Sequence, residues 1–143
     1  IVMEYVDGVT VEERRKNGPL PEEQVLEIAK HVTSALVAAS RIGIVHRDIK
    51  PDNILITRAG LPVIIDFGAA FTDRESFTYV APNVGKPGFS PPDQKYEVDK
   101  QGPFTDVYAL CATICYCLTG AAFFSKLVHN TSKVCNRRLD ASQ

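Results

Sequence analysis

Neither sign of charge is in excess in this chain: 16 Lys and Arg stand against 17 Asp and Glu, for a formal net charge of −1. That excludes a general nucleic-acid binder, whose grip on the phosphate backbone rests on clustered surplus Lys and Arg. No repeat of solenoid length and no low-complexity tract occurs, which excludes repeat arrays and tails too biased in composition to fold. The four cysteines (Cys111, Cys115, Cys117 and Cys135) form no Cys-x-x-Cys pair and stand at no zinc-finger distance from paired histidines. They read as small buried hydrophobes in a reducing, cytoplasmic compartment rather than as a metal site or disulfide framework. The start at Ile1 carries neither an initiator Met nor a charged-then-apolar leader, and reads as cut from something longer. Residues 107–124 run eighteen positions without a charge, close to bilayer length. They include Thr113, Thr119, Gly120, Tyr108 and Tyr116, so a buried core helix is expected there and no membrane segment. What remains is a globular composition, 45% hydrophobic and 23% charged over 143 residues, of a size for one domain.

Residues 1–6 read as a short buried strand with a turn at Asp7-Gly8. Residues 11–17 are charged and helix-prone, ended by Gly18-Pro19, and the run at 12–16 reads as a solvated face. The clearest helix covers residues 21–43. Pro21, Glu22 and Glu23 suit a first turn, Val25, Ile28, Val32, Leu36 and Ala39 make one apolar face, and Gly43 closes it. Ile44-Val45, residues 54–56 and residues 61–65 are short β-prone runs, the last two joined by a turn at Ala59-Gly60. Residues 71–101 show no sustained period, and an apolar helix is expected over 106–118. The fold class is mainly α with a few short β-strands.

The chemistry concentrates in His46-Arg47-Asp48-Ile49-Lys50-Pro51-Asp52-Asn53 and, after two short strands, Asp66-Phe67-Gly68. Phosphoryl transfer asks little covalent work of a protein; it needs cations held on the phosphates, a carboxylate to orient the accepting hydroxyl, and a fixed positive charge. Hard cations take oxygen ligands, so Asp66 and the amide oxygen of Asn53 are candidate metal ligands. Asp48 is the candidate base and Lys50 the charge for the transferred phosphate, with a hairpin bringing Asp48 and Asp66 to one edge. Asp52 reads as a turn residue.

Taken together, these residues resemble the protein kinase catalytic domain of the eukaryotic serine/threonine type, with a flavour of its bacterial branch. HRDIKPDN matches the family's catalytic loop H-R-D-x-K-x-x-N at every fixed position, and the Asp-Phe-Gly motif follows in order. The resemblance implies a large, C-terminal kinase lobe truncated at both ends: hinge at 1–8, catalytic loop at 46–53, activation segment at 66–93. It also implies that Met3 is the gatekeeper, that backbone groups of Glu4 and Val6 bond the adenine edge, and that Leu55 lies beneath the ring. His46 is then structural against Phe67, and Arg47 reads a phosphate on the activation segment, where Thr72, Ser76, Thr78 and Tyr79 are candidate acceptors. Residues 85–93 look like the substrate-docking loop, and Asp106 like the residue that braces the catalytic loop. ATP with Mg²⁺ or Mn²⁺ and a protein bearing Ser or Thr are the implied cofactors and partner.

The sequence also departs from the pattern. It holds no G-x-G-x-x-G loop and no Val-Ala-Ile-Lys strand, so the smaller lobe is missing, whether by excision or native truncation. Lys86 stands where a Thr is usual, and Asp93 replaces the Glu that ends the activation segment. Two other readings stay open: a non-catalytic kinase-like binding module or truncated pseudokinase, and a small-molecule phosphotransferase. Lys50, two residues past Asp48, and the long loop to Asp93 count against the latter.

Overall fold

A computed structural model describes residues 4–67, 69–72, 88–91 and 101–120. Of the residues singled out above, Met3, Gly68, Ser76, Thr78, Tyr79, Lys86, Asp93 and Cys135 lie outside these ranges, as does most of the segment 66–93.

The chain opens with β1 (Gly8–Thr10) and α1 (Val11–Arg15), followed by the long α2 (Glu22–Arg41). β2 (Ile44–Val45) leads through the loop 46–50 into a 3₁₀ turn (Pro51–Asn53) and the hairpin β3 (Ile54–Thr57) and β4 (Pro62–Ile64). β5 (Phe71–Thr72) and α3 (Pro103–Thr119) complete the described elements. One antiparallel sheet has the order β1-β3-β4, and β2 pairs with β5 in a second.

Of the strand expected over residues 1–6, residues 1–3 lie outside the described ranges and the part from Glu4 to Val6 is corrected by the structure. Glu4–Asp7 is not in a strand, Tyr5 is 86% exposed, and β1 starts at Gly8, where a turn was expected. Gly8 serves close approach instead. A Cβ there would collide with the Ile56 carbonyl and the Leu55 side chain of the neighbouring strand.

α1 begins with a capping box: Thr10 Oγ1 accepts from the Glu13 N–H at 3.1 Å, and Glu13 Oε2 accepts from the Thr10 N–H at 2.8 Å. α2 presents Val25, Ile28, Val32 and Leu36 to the interior and ends at Gly43, whose positive φ of 75° suits a residue with no Cβ. These side chains form one core with Val11, Leu20, Ile49, Ile54, Ile56, Ala109, Leu110 and Cys117. The core therefore lies directly behind the 46–53 loop, with Ile49 and Ile54 anchoring the loop's middle and end in it.

α3 starts three residues earlier than expected, because Pro103 takes the first helical position after Gly102, where a missing N–H costs nothing. The turn is closed by the Thr105 N–H donating to the Gly102 carbonyl at 2.8 Å. Among the described residues no helix is long and apolar enough to cross a membrane.

The cysteines do not all behave as buried hydrophobes. Cys117 is buried, Cys115 half-buried and Cys111 exposed, because the inward face of α3 carries Ala109, Ala112, Thr113 and Cys117 while Val107, Cys111 and Leu118 point out. Burial also pushes the Cys117 thiol up to about 11, well above a free thiol. Iodoacetamide on the native chain is therefore expected to alkylate Cys111 and spare Cys117, read by peptide mass mapping; equal labelling of the two would contradict this packing.

Candidate active site

The loop between β2 and the 3₁₀ turn is held from below by one buried carboxylate. Asp106, in the first turn of α3, accepts the His46 N–H at 2.8 Å and the Arg47 N–H at 2.7 Å. Burial pushes the Asp106 pKa up, and these two backbone donors, with His46 and Arg47, pull it back. Arg47 is buried beside it and adopts φ of 67°, a left-handed backbone rare outside glycine. Burial weighs against the Arg47 charge and the Asp106 carboxylate offsets that, so the guanidinium keeps its proton. The turn imposed at Arg47 sends the chain from the core at His46 outward to Asp48.

His46 is fully buried, and its ring meets that of Phe67 edge-on with centroids 4.6 Å apart. Its Nδ1 accepts the Asp48 N–H at 3.3 Å, which leaves the proton on Nε2. Burial pushes its pKa down against the pull of Asp106, the Ile65 carbonyl, Asp48 and Asp66, so the ring is a neutral spacer between the two loops.

Two side chains converge on Asp48 Oδ2. Lys50 Nζ donates to it at 2.5 Å and Asn53 Nδ2 at 2.9 Å, while Asn53 Nδ2 also reaches the Asp48 carbonyl at 2.8 Å. The Lys50 and Asp48 side chains are 21% and 16% exposed, so this ion pair opens to solvent at one side only. With the Asn53 amide nitrogen engaged twice, its oxygen is the atom left to face a cation. The Ile65 N–H donates to the Asn53 carbonyl at 2.9 Å, which sets Asp66 next to Asn53 across the β3–β4 hairpin. Asp66 is exposed and, like Arg47, holds a left-handed backbone, with φ of 62°. Two non-glycine residues in this conformation, one in each loop of the same site, are the kind of local strain that a surrounding fold sustains at functional positions.

The profile of the protein kinase domain matches residues 1–141. The chain belongs to the protein kinase family. This kinase chain is similar to the serine/threonine-protein kinase PknB of Mycobacterium leprae, at 37% identity over 123 residues, covering 84% of the chain and 20% of that protein. It is similar to PknK of Mycobacterium tuberculosis at 39% over 112 residues (78% of the chain, 10% of that protein). A probable serine/threonine-protein kinase of Clostridium perfringens is 34% identical over 131 residues (87% of the chain, 18% of that protein). The kinase chain thus spans about a tenth to a fifth of the length of these relatives.

Among the described residues of the kinase chain, no group of three His, Cys, Asp or Glu is placed to hold a metal. A resident, protein-caged cation does not fit this set. One carboxylate and one amide oxygen do fit a cation such as Mg²⁺ that arrives with phosphates and keeps waters, which needs few protein ligands.

The other candidate site residues singled out above lie in or next to β1 and β3. Leu55 alternates with the buried Ile54 and Ile56 and so faces away from the core, with its side chain against Gly8. Val6 is half-buried and Glu4 exposed in the segment leading into β1, which enters the sheet at Gly8, opposite Thr57 of β3. β5 pairs Thr72 with Ile44 and Phe71 with Val45, so the chain leaving Asp66 is tied back beside the loop that carries Asp48.

One reading is overturned: residues 12–16 are not simply a solvated face. Glu12 Oε1 accepts the Tyr116 hydroxyl at 3.2 Å, and the Arg15 guanidinium lies over the Tyr116 ring, 4.5 Å from its centroid. No short motif marks Arg15 or Tyr116, which lie about a hundred positions apart.

Proposed function

We propose that this chain is the larger lobe of an ATP-dependent serine/threonine protein kinase that acts in the cytoplasm on protein hydroxyls. The observation that carries the reading is the convergence of Lys50 and Asn53 on one oxygen of Asp48, with Asp66 set beside Asn53. Adenine rests on Leu55 with its edge on backbone groups of Glu4 and Val6, and Met3 is the gatekeeper. Asp48 orients the acceptor hydroxyl and takes its proton as the acceptor oxygen bonds to the γ-phosphorus and the bond to the β–γ bridging oxygen breaks, leaving ADP. Lys50 keeps Asp48 in place and puts positive charge at the transferred group. Asn53 and Asp66 hold the cation, which when bound neutralises charge on the phosphate oxygens. Asp106 and His46 support the loop, and Arg47, Phe67 and Gly68 link it to the segment 66–93, which ends at Asp93.

Asp66→Ala is expected to abolish the Mg²⁺-dependent part of nucleotide affinity, because it removes the one carboxylate of the cation pair. A fluorescent-nucleotide titration with and without Mg²⁺ reads this, best in a two-lobed form that carries a glycine-rich small lobe ahead of Ile1. Wild-type affinity in Mg²⁺ would remove Asp66 from its assigned role.

Residues 1–143 alone are expected to transfer no phosphate. They contain no glycine-rich loop and no strand lysine to close over the triphosphate. Positioning accounts for about 7–11 kcal/mol of such barriers, and half a clamp supplies too little of it. Radiolabelled-ATP assays on the 143-residue chain beside the two-lobed form decide the point: activity in the short chain would contradict it.

A further inference from the structure

At the end of α3 farthest from Asp106, one aromatic ring joins three parts of the chain that are remote in sequence. The Tyr116 ring is covered on its face by Arg15 at 4.5 Å and met edge-on by Phe89, with centroids 5.5 Å apart and planes at 82°. Its hydroxyl donates to Glu12 Oε1 at 3.2 Å. Arg15 is fixed in turn, since its Nη2 donates to the carbonyl of Gly120, the αL residue that ends α3, and a Cβ at Gly120 would strike that same nitrogen. The Leu20 N–H donates to the Cys117 carbonyl at 2.9 Å, which docks the α1–α2 connection on the same turn. Tyr116 is therefore gripped from α1 and from its own helix end, while Phe89, 5% exposed, is the buried apolar anchor of residues 88–91.

We infer that Tyr116 is a positioning residue that seats residues 88–91 and thereby fixes the far end of the surface on which the protein substrate docks. This rests on the kinase reading, in which residues 66–93 form the segment facing the substrate. That segment has two described anchors. β5 ties its first part to β2 beside the Asp48 loop, and Phe89 on Tyr116 ties its last part to α3. A platform already clamped by Arg15, Glu12 and Gly120 holds Phe89 in one place and lowers the ordering cost of binding an extended acceptor across it. Tyr116 sits near the end of α3 opposite Asp106, the residue that holds the Asp48 loop, so the effect is expected on acceptor binding and not on nucleotide binding.

Two measurements test it. In the 143-residue chain, Tyr116→Leu and Phe89→Leu are each expected to speed hydrogen exchange at the Phe89 and Ser90 amides about 3- to 10-fold. Tyr116→Phe, which keeps the ring, is expected to leave both within twofold of wild type. Exchange in the middle of α3 (residues 109–113) is expected to stay unchanged throughout. No change at Phe89 and Ser90, or a uniform rise along α3, would overturn the seating. In the full-length protein, Tyr116→Leu is expected to raise KM for a protein acceptor about 3- to 10-fold with KM for ATP unchanged, and Tyr116→Phe to restore it. Looser amides with an unchanged acceptor KM would overturn the link to the substrate. A wild-type protein that phosphorylates nothing would sink the kinase reading instead, with the exchange result still deciding the seating.

Discussion

Asp48→Asn lowers the turnover of the two-lobed form by about 10²- to 10⁴-fold while nucleotide affinity stays near wild type, the range typical of a lost general base or positioning carboxylate. The size follows from what the substitution leaves intact. Asn has the shape of Asp, and its amide oxygen can still accept from Lys50 Nζ or Asn53 Nδ2, the two donors that meet Asp48 Oδ2 at 2.5 and 2.9 Å. The loop is therefore expected to keep its course, held as it is by Asp106 from below. What disappears is the negative charge and the ability to take a proton from the acceptor hydroxyl. Nucleotide affinity is assigned to Asn53, Asp66, Leu55 and the Glu4–Val6 backbone, none of which is altered. Steady-state phosphorylation paired with a nucleotide titration reads both quantities on one preparation. Undiminished turnover would take Asp48 out of the chemistry.

Asp106→Ala costs about 3–5 kcal/mol of stability, the scale for removing one partner from a buried charge and hydrogen-bond network. The carboxylate accepts two buried backbone donors, and its loss strands both the His46 and Arg47 N–H groups and leaves a buried guanidinium without its facing charge. Arg47 also loses the contact that holds its left-handed backbone. Against a total stability of about 5–15 kcal/mol for a domain, this is a loss large enough to unfold a marginal chain. Urea denaturation followed by circular dichroism reads it as a large fall in midpoint. A shift no greater than that of a surface control such as Lys30→Ala would show that Asp106 does not carry the loop.

The sequence makes α2 legible because its apolar residues keep one helical face for about four turns and its ends carry acids and a glycine. The β3–β4 hairpin is legible from Ala59-Gly60, and the left-handed Gly60, with φ of 82°, is the reason a glycine stands there. Gly8 is misread because a glycine marks a turn and a close backbone approach alike, and only the position of Ile56 across the sheet tells them apart. The start of α3 precedes Asp106, where the family motif begins, because Gly102-Pro103 carries the structural start signal. The Thr10-x-x-Glu13 box was likewise in plain view, four residues spelling a helix start. β5 is two residues long and exists only through β2, so no local pattern announces it. The site divides in the same way. Asp48, Lys50, Asn53 and Asp66 are set by a contiguous motif and one hairpin, while the Arg15–Tyr116–Phe89 contacts join residues that only tertiary packing brings together.

The most direct measurement of the central claim is phosphate transfer from γ-radiolabelled ATP with Mg²⁺ by the two-lobed form, followed by acid hydrolysis of the labelled protein and separation of its phosphoamino acids. The account predicts label in phosphoserine or phosphothreonine, present with Asp48 and lost with Asp48→Asn. Label in no protein hydroxyl, or equal labelling by the Asp48→Asn form, would contradict it.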